Sequence, residues 1–214
     1  MKKITLLIGM LVAAFALNAQ NQEAYINAMI AGLEQLGAAQ SIEDLQAAAG
    51  KFERVAAVAQ DDWYAPHYAG LAYTRMSMMA ESISTKDQYS KKSLYLAKQA
   101  KEHSPNNSEV LALEGYVYMM QLAADPNNRG QMLSPKVMQT FGEAMSLDPK
   151  NPRVMALMAQ MQFGTAQFFG SSTANACSMA QKALAQFSTE QEGQSFAPTW
   201  GKNVAESLIG QCQQ

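Results

Sequence analysis

The sequence has few of the residues that catalytic and metal sites require. Its 214 residues include two histidines and two cysteines. No H-x-x-x-H, H-E-x-x-H or clustered Cys and His spacing occurs, and there is neither a G-x-S-x-G motif nor a phosphate-binding glycine loop. Because no nucleophile is paired with a base and no set of metal ligands is spaced together, we expect a non-enzymatic protein without a cofactor or a metal site.

An excess of positive charge is also missing. Lysine and arginine number 16 against 18 aspartates and glutamates, which gives a formal net charge of −2. A nucleic-acid partner would require a basic face that neutralises phosphates. The composition therefore predicts no nucleic-acid partner.

Long apolar runs are absent after the N-terminus. Ile4–Leu17 is uncharged and apolar, follows Lys2-Lys3 and precedes Asn18-Ala19-Gln20. This is the layout of a secretory signal peptide, and the run is shorter than the about 20 residues of a membrane-spanning helix. We expect a cleaved signal peptide over 1–19 and a periplasmic or secreted protein with no integral membrane segment after its removal.

The alternation of apolar and polar residues that marks half-buried strands is missing as well. Runs of β-branched residues are few, whereas Ala, Gln and Met are abundant, with 15 methionines in the chain. The composition predicts an all-α protein.

What is present is a repeated pattern, clearest in SPNNSEVLALEGYVY (Ser104–Tyr118) and LDPKNPRVMALMAQMQ (Leu147–Gln162). Each copy has a junction residue, a small residue ten positions later and a third position three residues further on. The three copies are Gln60, Gly70 and Tyr73, then Pro105, Gly115 and Tyr118, then Pro149, Ala159 and Gln162. This frame resembles the tetratricopeptide repeat (TPR), a helix-turn-helix unit that stacks into a solenoid.

The candidate second helices carry small and bulky side chains on one stripe, as close helix packing requires. The clearest pairs are Ala48 with Phe52 and Val137 with Phe141. A last helix would cover the apolar flank of the final repeat, with Trp200 as a plug. We predict one TPR-like α-α superhelix of about nine helices over 20–214, with an opening pair (20–60), three repeats (61–105, 106–149 and 150–188) and a C-terminal cap (189–214).

The repeats are longer than the 34 residues of a regular TPR. The extra residues fall inside the hairpins, around Ser82–Tyr89, Ala124–Pro135 and Phe168–Thr173. We expect these long intra-hairpin insertions to form loops on one side of the solenoid. Arg129 is the loop candidate for a partner contact, although we favour a role in tying down its own loop.

Four short motifs follow the signal peptide in order: D-P-N-N-R-G (Asp125–Gly130), N-P-R-V (Asn151–Val154), F-F-G (Phe168–Gly170) and P-T-W-G (Pro198–Gly201). Together they resemble a group of exported TPR-like proteins of Gram-negative bacteria. The resemblance spans essentially the whole mature chain. It implies architecture and export, and it implies no biochemical activity.

The usual binding surface of a TPR solenoid is the concave face lined by its first helices. The residues expected there are aromatic and apolar with isolated charges: Tyr64, His67, Tyr68, Leu71, Arg75, Glu109, Tyr116, Met120, Arg153 and Leu157. We predict a module or scaffold that binds a protein or peptide of the periplasm or cell envelope through aromatic anchors, with Arg75, Glu109 and Arg153 orienting it. The alternative is that the insertions fill the groove and make these residues ordinary core.

Methionines cluster on the same helices, at Met76, Met78 and Met79, at Met119 and Met120, and at Met155, Met158 and Met161. Thioethers bind soft ions such as Cu(I), so a small-molecule or Cu(I) carrier is the second hypothesis. Methionine is also a pliable core filler, and we favour core packing for most of these positions.

Both cysteines, Cys177 and Cys212, belong to the predicted mature chain. Export would deliver them to an oxidising compartment, where thiols pair. We favour a disulfide between them. The alternative is one buried thiol and a second one in a frayed tail.

Overall fold

The computed structural model describes residues 21–59, 61–190 and 196–213, so the predicted signal peptide, Gln60 and part of the predicted cap lie outside the described residues. Within these ranges the chain forms nine helices and no strand. The helices are α1 (21–38), α2 (Ile42–Val58), α3 (Tyr64–Met79), α4 (Ile83–His103), α5 (Ser108–Ala124), α6 (Pro126–Leu147), α7 (Pro152–Phe168), α8 (Ala174–Phe187) and α9 (Lys202–Cys212). None of them is long and apolar enough to cross a membrane.

The helices form a row of hairpins. Each helix from α2 to α8 packs against the next one. The first helices of successive hairpins are also in contact, α3 with α5 and α5 with α7. Contacts between neighbouring hairpins are what define a solenoid. The prediction of an all-α, TPR-like solenoid is confirmed.

The helix starts follow the capping residues of the sequence. Ser41 and Asp44 form a capping box at α2, with each backbone N–H donating to the other side chain over 3.1 Å. The Asn107 side chain accepts from the N–H of Glu109 at the start of α5. Asn151 accepts from two N–H groups of α7, which has Pro152 in its first turn. Each cap satisfies backbone N–H groups that the helix itself leaves unbonded.

Glycines of the first helices let the second helices approach closely. A Cβ on Gly115 would overlap the ring of Phe141, and a Cβ on Gly32 would lie 2.7 Å from the ring of Phe52. Both phenylalanines are fully buried. The opening pair therefore uses the same glycine and phenylalanine contact as the second repeat, although the repeat frame read from the sequence does not include Gly32.

The prediction that the extra residues form long loops is wrong for two of the three hairpins. Residues 80–82 alone separate α3 from α4, and Asp125 alone separates α5 from α6. The extra residues instead lengthen the second helices, to 21 residues in α4 and 22 in α6. Ser82 starts α4 early by accepting from the N–H of Thr85, and Pro126 suits the first turn of α6, where its missing N–H costs nothing.

The last helix covers the end of the row, as the sequence predicts. Leu208 of α9 packs with Phe163 of α7 and Ala180 of α8. The structure joins Cys177 of α8 and Cys212 of α9 in a disulfide. Trp200 is not the plug of this flank, because it packs against Tyr116 of α5 and His67 of α3.

Candidate functional site

A cavity of about 890 Å³ lies on the concave face of the solenoid. We call it the concave cavity. Its lining comes from α1, α3, α5, the segment that leads into α9 and the first turn of α9. It consists of Leu33, Leu36, Gly37, Tyr68, Leu71, Arg75, Met78, Tyr116, Ala197, Thr199, Trp200, Gly201, Asn203 and Val204. Sites for small molecules and cofactors typically have volumes of about 300–1,000 Å³, so the concave cavity has the size of such a site.

A second cavity, of about 990 Å³, involves α1, α2 and the residues before α3. Its lining mixes small apolar residues with charges of both signs, among them Lys51, Arg54 and Asp62. Tyr25 supplies the one aromatic ring among its described lining residues, whereas the concave cavity has three. The concave cavity is therefore the candidate site.

Helical spacing explains how α3 lines the concave cavity. Tyr68, Leu71, Arg75 and Met78 follow one another at intervals of three or four residues, so they lie along one face of α3. Gly70 and Ser77, which belong to another face, point towards α4, where Ser77 bonds to Ser90. The same helix thus contributes to both the hairpin packing and the cavity wall.

Two aromatic rings stack against each other in the wall of the concave cavity. The rings of Tyr116 and Trp200 are nearly parallel, at an angle of 10° with 5.9 Å between centroids. Behind them, the indole Nε1–H of Trp200 donates to Nε2 of His67 over 3.4 Å. His67 is fully buried, and burial, followed by the nearby charge of Arg153, lowers the pKa of His67 to about 3. A neutral imidazole therefore holds the indole in place.

The tyrosine hydroxyl groups of the wall already have partners. The Tyr68 hydroxyl donates to the carbonyl of Phe196 over 3.0 Å, and that of Tyr116 donates to Sδ of Met78 over 3.1 Å. Burial raises the pKa of Tyr116 to about 12 and also raises the pKa of Tyr68. Both groups are therefore neutral, and the rings offer the cavity an apolar surface.

Arg75 is the charged side chain among the described lining residues. Its Nη1 donates to the carbonyl of Leu36 over 2.6 Å and its Nη2 to the carbonyl of Ala39 over 3.0 Å. Both carbonyls lie at the C-terminal end of α1, where helices carry partial negative charge and carbonyls lack intrahelical partners. The end of α1 thus fixes a positive charge at the edge of an apolar cavity.

The structure corrects the roles predicted for Glu109 and Arg153. Arg153 is 4% exposed, and its guanidinium bonds both Glu109, at 2.7 Å from Nε, and Glu190. Asn151 donates a further hydrogen bond to Glu109 over 2.8 Å. Since a buried charge must be paired, these groups are occupied with one another and do not face the cavity.

The other predicted residues divide between the wall and the interior. Tyr68, Leu71, Arg75 and Tyr116 line the concave cavity. His67 and Leu157 are fully buried, while Tyr64 and Met120 are half-buried away from the lining. The sequence analysis missed the contributions of α1 and of Ala197–Val204. The P-T-W-G motif was the available signal for the second of these.

The remaining candidates pack within the protein. Arg129 lies in α6 and not in a loop, and its guanidinium bonds both oxygens of Asp87 at 2.7 Å as well as the Gln121 carbonyl. Four of the clustered methionines are buried in the core: Met76, Met119, Met155 and Met161. In the described ranges, no three His, Cys, Asp or Glu side chains are grouped so that they could hold a metal ion.

No protein-family model matches the chain, and no curated protein matches it in sequence. Solved structures with a similar fold include the HusA haemophore from Porphyromonas gingivalis, with a TM-score of 0.76 at 23% identity over 90% of this chain and 92% of that one. A thermophilic TPR protein of Thermus thermophilus gives a TM-score of 0.52 at 16% identity, over 92% of this chain and 94% of that one. These likenesses show that the fold is TPR-like.

Proposed function

We propose that this protein is an exported, non-enzymatic carrier that binds a flat, largely apolar molecule of porphyrin size in the concave cavity. The observation that carries the proposal is the pair of nearly parallel rings, Tyr116 and Trp200, in the wall of an apolar cavity of about 890 Å³. Aromatic faces stack against flat π systems. The export part rests on the signal-peptide pattern of the sequence, and N-terminal sequencing of the secreted protein checks it.

The fold neighbour supports this choice of ligand class. That protein is described as a haemophore, which is a haem-carrying protein. Haem is a flat aromatic macrocycle with apolar edges and two carboxylates. The concave cavity offers the complementary surfaces, which are the Tyr116 and Trp200 rings, the leucines of α1 and α3, and one arginine.

A peptide partner is supported less well by the geometry. The chain at Phe196–Trp200 lies against the concave face, where the Tyr68 hydroxyl bonds the Phe196 carbonyl and Trp200 contacts Tyr116. This segment takes part of the surface along which an extended peptide would lie in an open TPR groove. The predicted insertions do not fill the groove, since their residues extend α4 and α6.

A Cu(I) carrier, which was part of the second hypothesis, is supported less well than a porphyrin carrier. Met78 is about half exposed and lines the concave cavity, but its sulfur accepts a hydrogen bond from Tyr116. Met76 and Met119 of the same clusters are buried in the core. Half of the eight clustered thioethers therefore fill the interior.

The test blocks the concave cavity without disturbing the fold. Gly37 lines the cavity, a Cβ added there meets nothing within 4 Å, and its φ is not in the left-handed region. We expect Gly37→Phe to weaken binding of haem and of metal-free protoporphyrin by at least about tenfold, because the new ring occupies the ligand's space. Absorbance titration of the purified mature protein measures the affinities.

Gly164 provides the matched control. It lies in α7, is exposed and has equally open space where a Cβ would be added, but it is not part of the cavity lining. Gly164→Phe is expected to bind both porphyrins as the wild type does. Absence of porphyrin binding by the wild type, or equal affinities of the Gly37→Phe and Gly164→Phe variants, would contradict the proposal.

A further inference from the structure

Arg75 differs from the other arginines of the described chain that are not fully exposed. Arg129 is paired with Asp87, and Arg153 is paired with Glu109 and Glu190. No salt bridge joins Arg75 to a described Asp or Glu. Its partners are two neutral carbonyls, those of Leu36 and Ala39. The charge of Arg75 thus has no matching carboxylate within the described protein.

The two carbonyl bonds fix the guanidinium without using all its donors. A guanidinium has five N–H groups in a planar fork, and the carbonyls of Leu36 and Ala39 take one from each Nη. The flexible arginine side chain is therefore held in one position before any ligand arrives. A pre-positioned donor loses less conformational entropy on binding than a mobile one.

The position of Arg75 suits a ligand that is apolar over most of its surface and acidic at one edge. On α3 it follows Leu71 by four residues and precedes Met78 by three, so its charge adjoins the apolar wall. In such a partly desolvated place, a hydrogen bond from a guanidinium to a carboxylate is stronger than one between neutral groups. A neutral ligand would leave the arginine without this partner.

We propose that Arg75 is the specificity-determining residue of the concave cavity and that it binds a carboxylate of the ligand. The inference rests on the proposed carrier function and adds to it the requirement that the ligand be an acid. The cavity then selects flat apolar molecules that carry a carboxylate over neutral molecules of the same shape.

The experiment compares two metal-free ligands, protoporphyrin IX and its dimethyl ester, which have the same macrocycle and differ in charge. We expect the wild-type protein to bind the diacid at least about tenfold more tightly than the diester. Arg75→Gln is expected to lose this preference by weakening binding of the diacid alone, while Arg75→Lys, which keeps the charge, retains part of it. Fluorescence quenching measures all affinities.

Arg54 supplies the control, because it is an exposed arginine that lines the second cavity and not the concave one. Arg54→Gln is expected to keep the wild-type preference for the diacid.

Circular dichroism checks that Arg75→Gln folds. If it does not fold, the wild-type comparison of diacid and diester decides alone. Equal wild-type affinities for the two ligands overturn the role of Arg75 and leave the carrier function standing. Binding of neither ligand overturns both.

Discussion

Trp200 contacts two residues that come much earlier in the chain, Tyr116 of the cavity wall and the buried His67. Its ring is nearly parallel to that of Tyr116, and its indole N–H bonds His67, 133 residues earlier. Since His67 is fully buried, the indole cannot rotate freely without losing that bond. The wall is ordered in advance, which reduces the entropic cost of binding a rigid, flat ligand.

The burial of His67 has a consequence for acid stability. Burial first, and the charge of Arg153 second, lower its pKa to about 3, and its Nδ1 has no hydrogen-bond partner among the described residues. The unfolded chain binds the proton near pH 6.5. The contribution of His67 to the free energy of unfolding is therefore fully present above about pH 6.5. It is lost as the pH falls towards the pKa of His67 in the folded protein.

We expect the wild type to lose about 1.5 kcal/mol more free energy of unfolding than His67→Gln between pH 6.5 and pH 5, because the variant has no such proton to take up on unfolding. Urea unfolding at the two pH values measures the difference. Identical losses in the wild type and His67→Gln would show that folding does not lower the pKa of His67.

At the scale of the helices, glycine positions set the spacing within hairpins. Gly115 of α5 receives the ring of Phe141 from α6, and Gly32 of α1 receives that of Phe52 from α2. At Gly70 the facing residue is Ser93, which donates to the Gly70 carbonyl over 2.7 Å. In these three hairpins, the glycine of the first helix thus has either an aromatic ring or a hydrogen-bonded hydroxyl opposite it.

Gly115→Ala and Gly142→Ala are expected to change stability in opposite directions. A Cβ at Gly115 would collide with the buried ring of Phe141, so we expect a loss of about 1–3 kcal/mol in free energy of unfolding. Gly142, in α6, has open space around its Cβ, so alanine should add up to about 1 kcal/mol through its better helix propensity. Chemical denaturation measures both. Stabilisation by Gly115→Ala would mean that the hairpin can open at this point without cost.

The sequence predicts the helices well where local chemistry decides them. Asn151 and Pro152 mark the start of α7 because a cap and a first-turn proline act within a few residues. Local chemistry wrongly predicts a loop at Asp125–Gly130, because turn-forming residues also suit the start of a helix. Asp125 and Pro126 begin α6 directly after α5, and Arg129 then reaches Asp87 of the previous hairpin. That long-range ion pair is not visible in the local pattern.

At the scale of the whole molecule, the concave cavity combines elements from both ends of the chain. The spacing on α3 predicts Tyr68, Leu71 and Arg75 for the concave face. It cannot show that α1 and Ala197–Val204 border the same space. It also cannot show that Glu190 reaches Arg153, which places Arg153 and Glu109 in the interior. Contacts between distant residues depend on how the hairpins stack, and helical periodicity does not specify stacking.

The disulfide is expected to stabilise one end of the solenoid more than the rest. Cys177 and Cys212 close a loop with a sequence separation of 35, which corresponds to roughly 3–4 kcal/mol in the chain-entropy model. Because repeats contact mainly their neighbours, replacing both cysteines by serine should increase hydrogen exchange in α8 and α9 while α2 and α3 keep their protection. Mass spectrometry resolves the exchange by segment. A uniform increase along the chain would contradict this local effect.

Two hydrogen bonds at the concave cavity join residues that are far apart in the chain. Tyr68 bonds Phe196, 128 positions away, and Trp200 bonds His67, 133 positions away. Contacts of such separation form late, after the local hairpins, because loop closure costs entropy that only the completed interface returns. The early hairpins can fold while the pocket for the ligand is still incomplete. The proposed ligand could therefore bind only once Phe196 and Trp200 have packed onto α3 and completed the cavity wall.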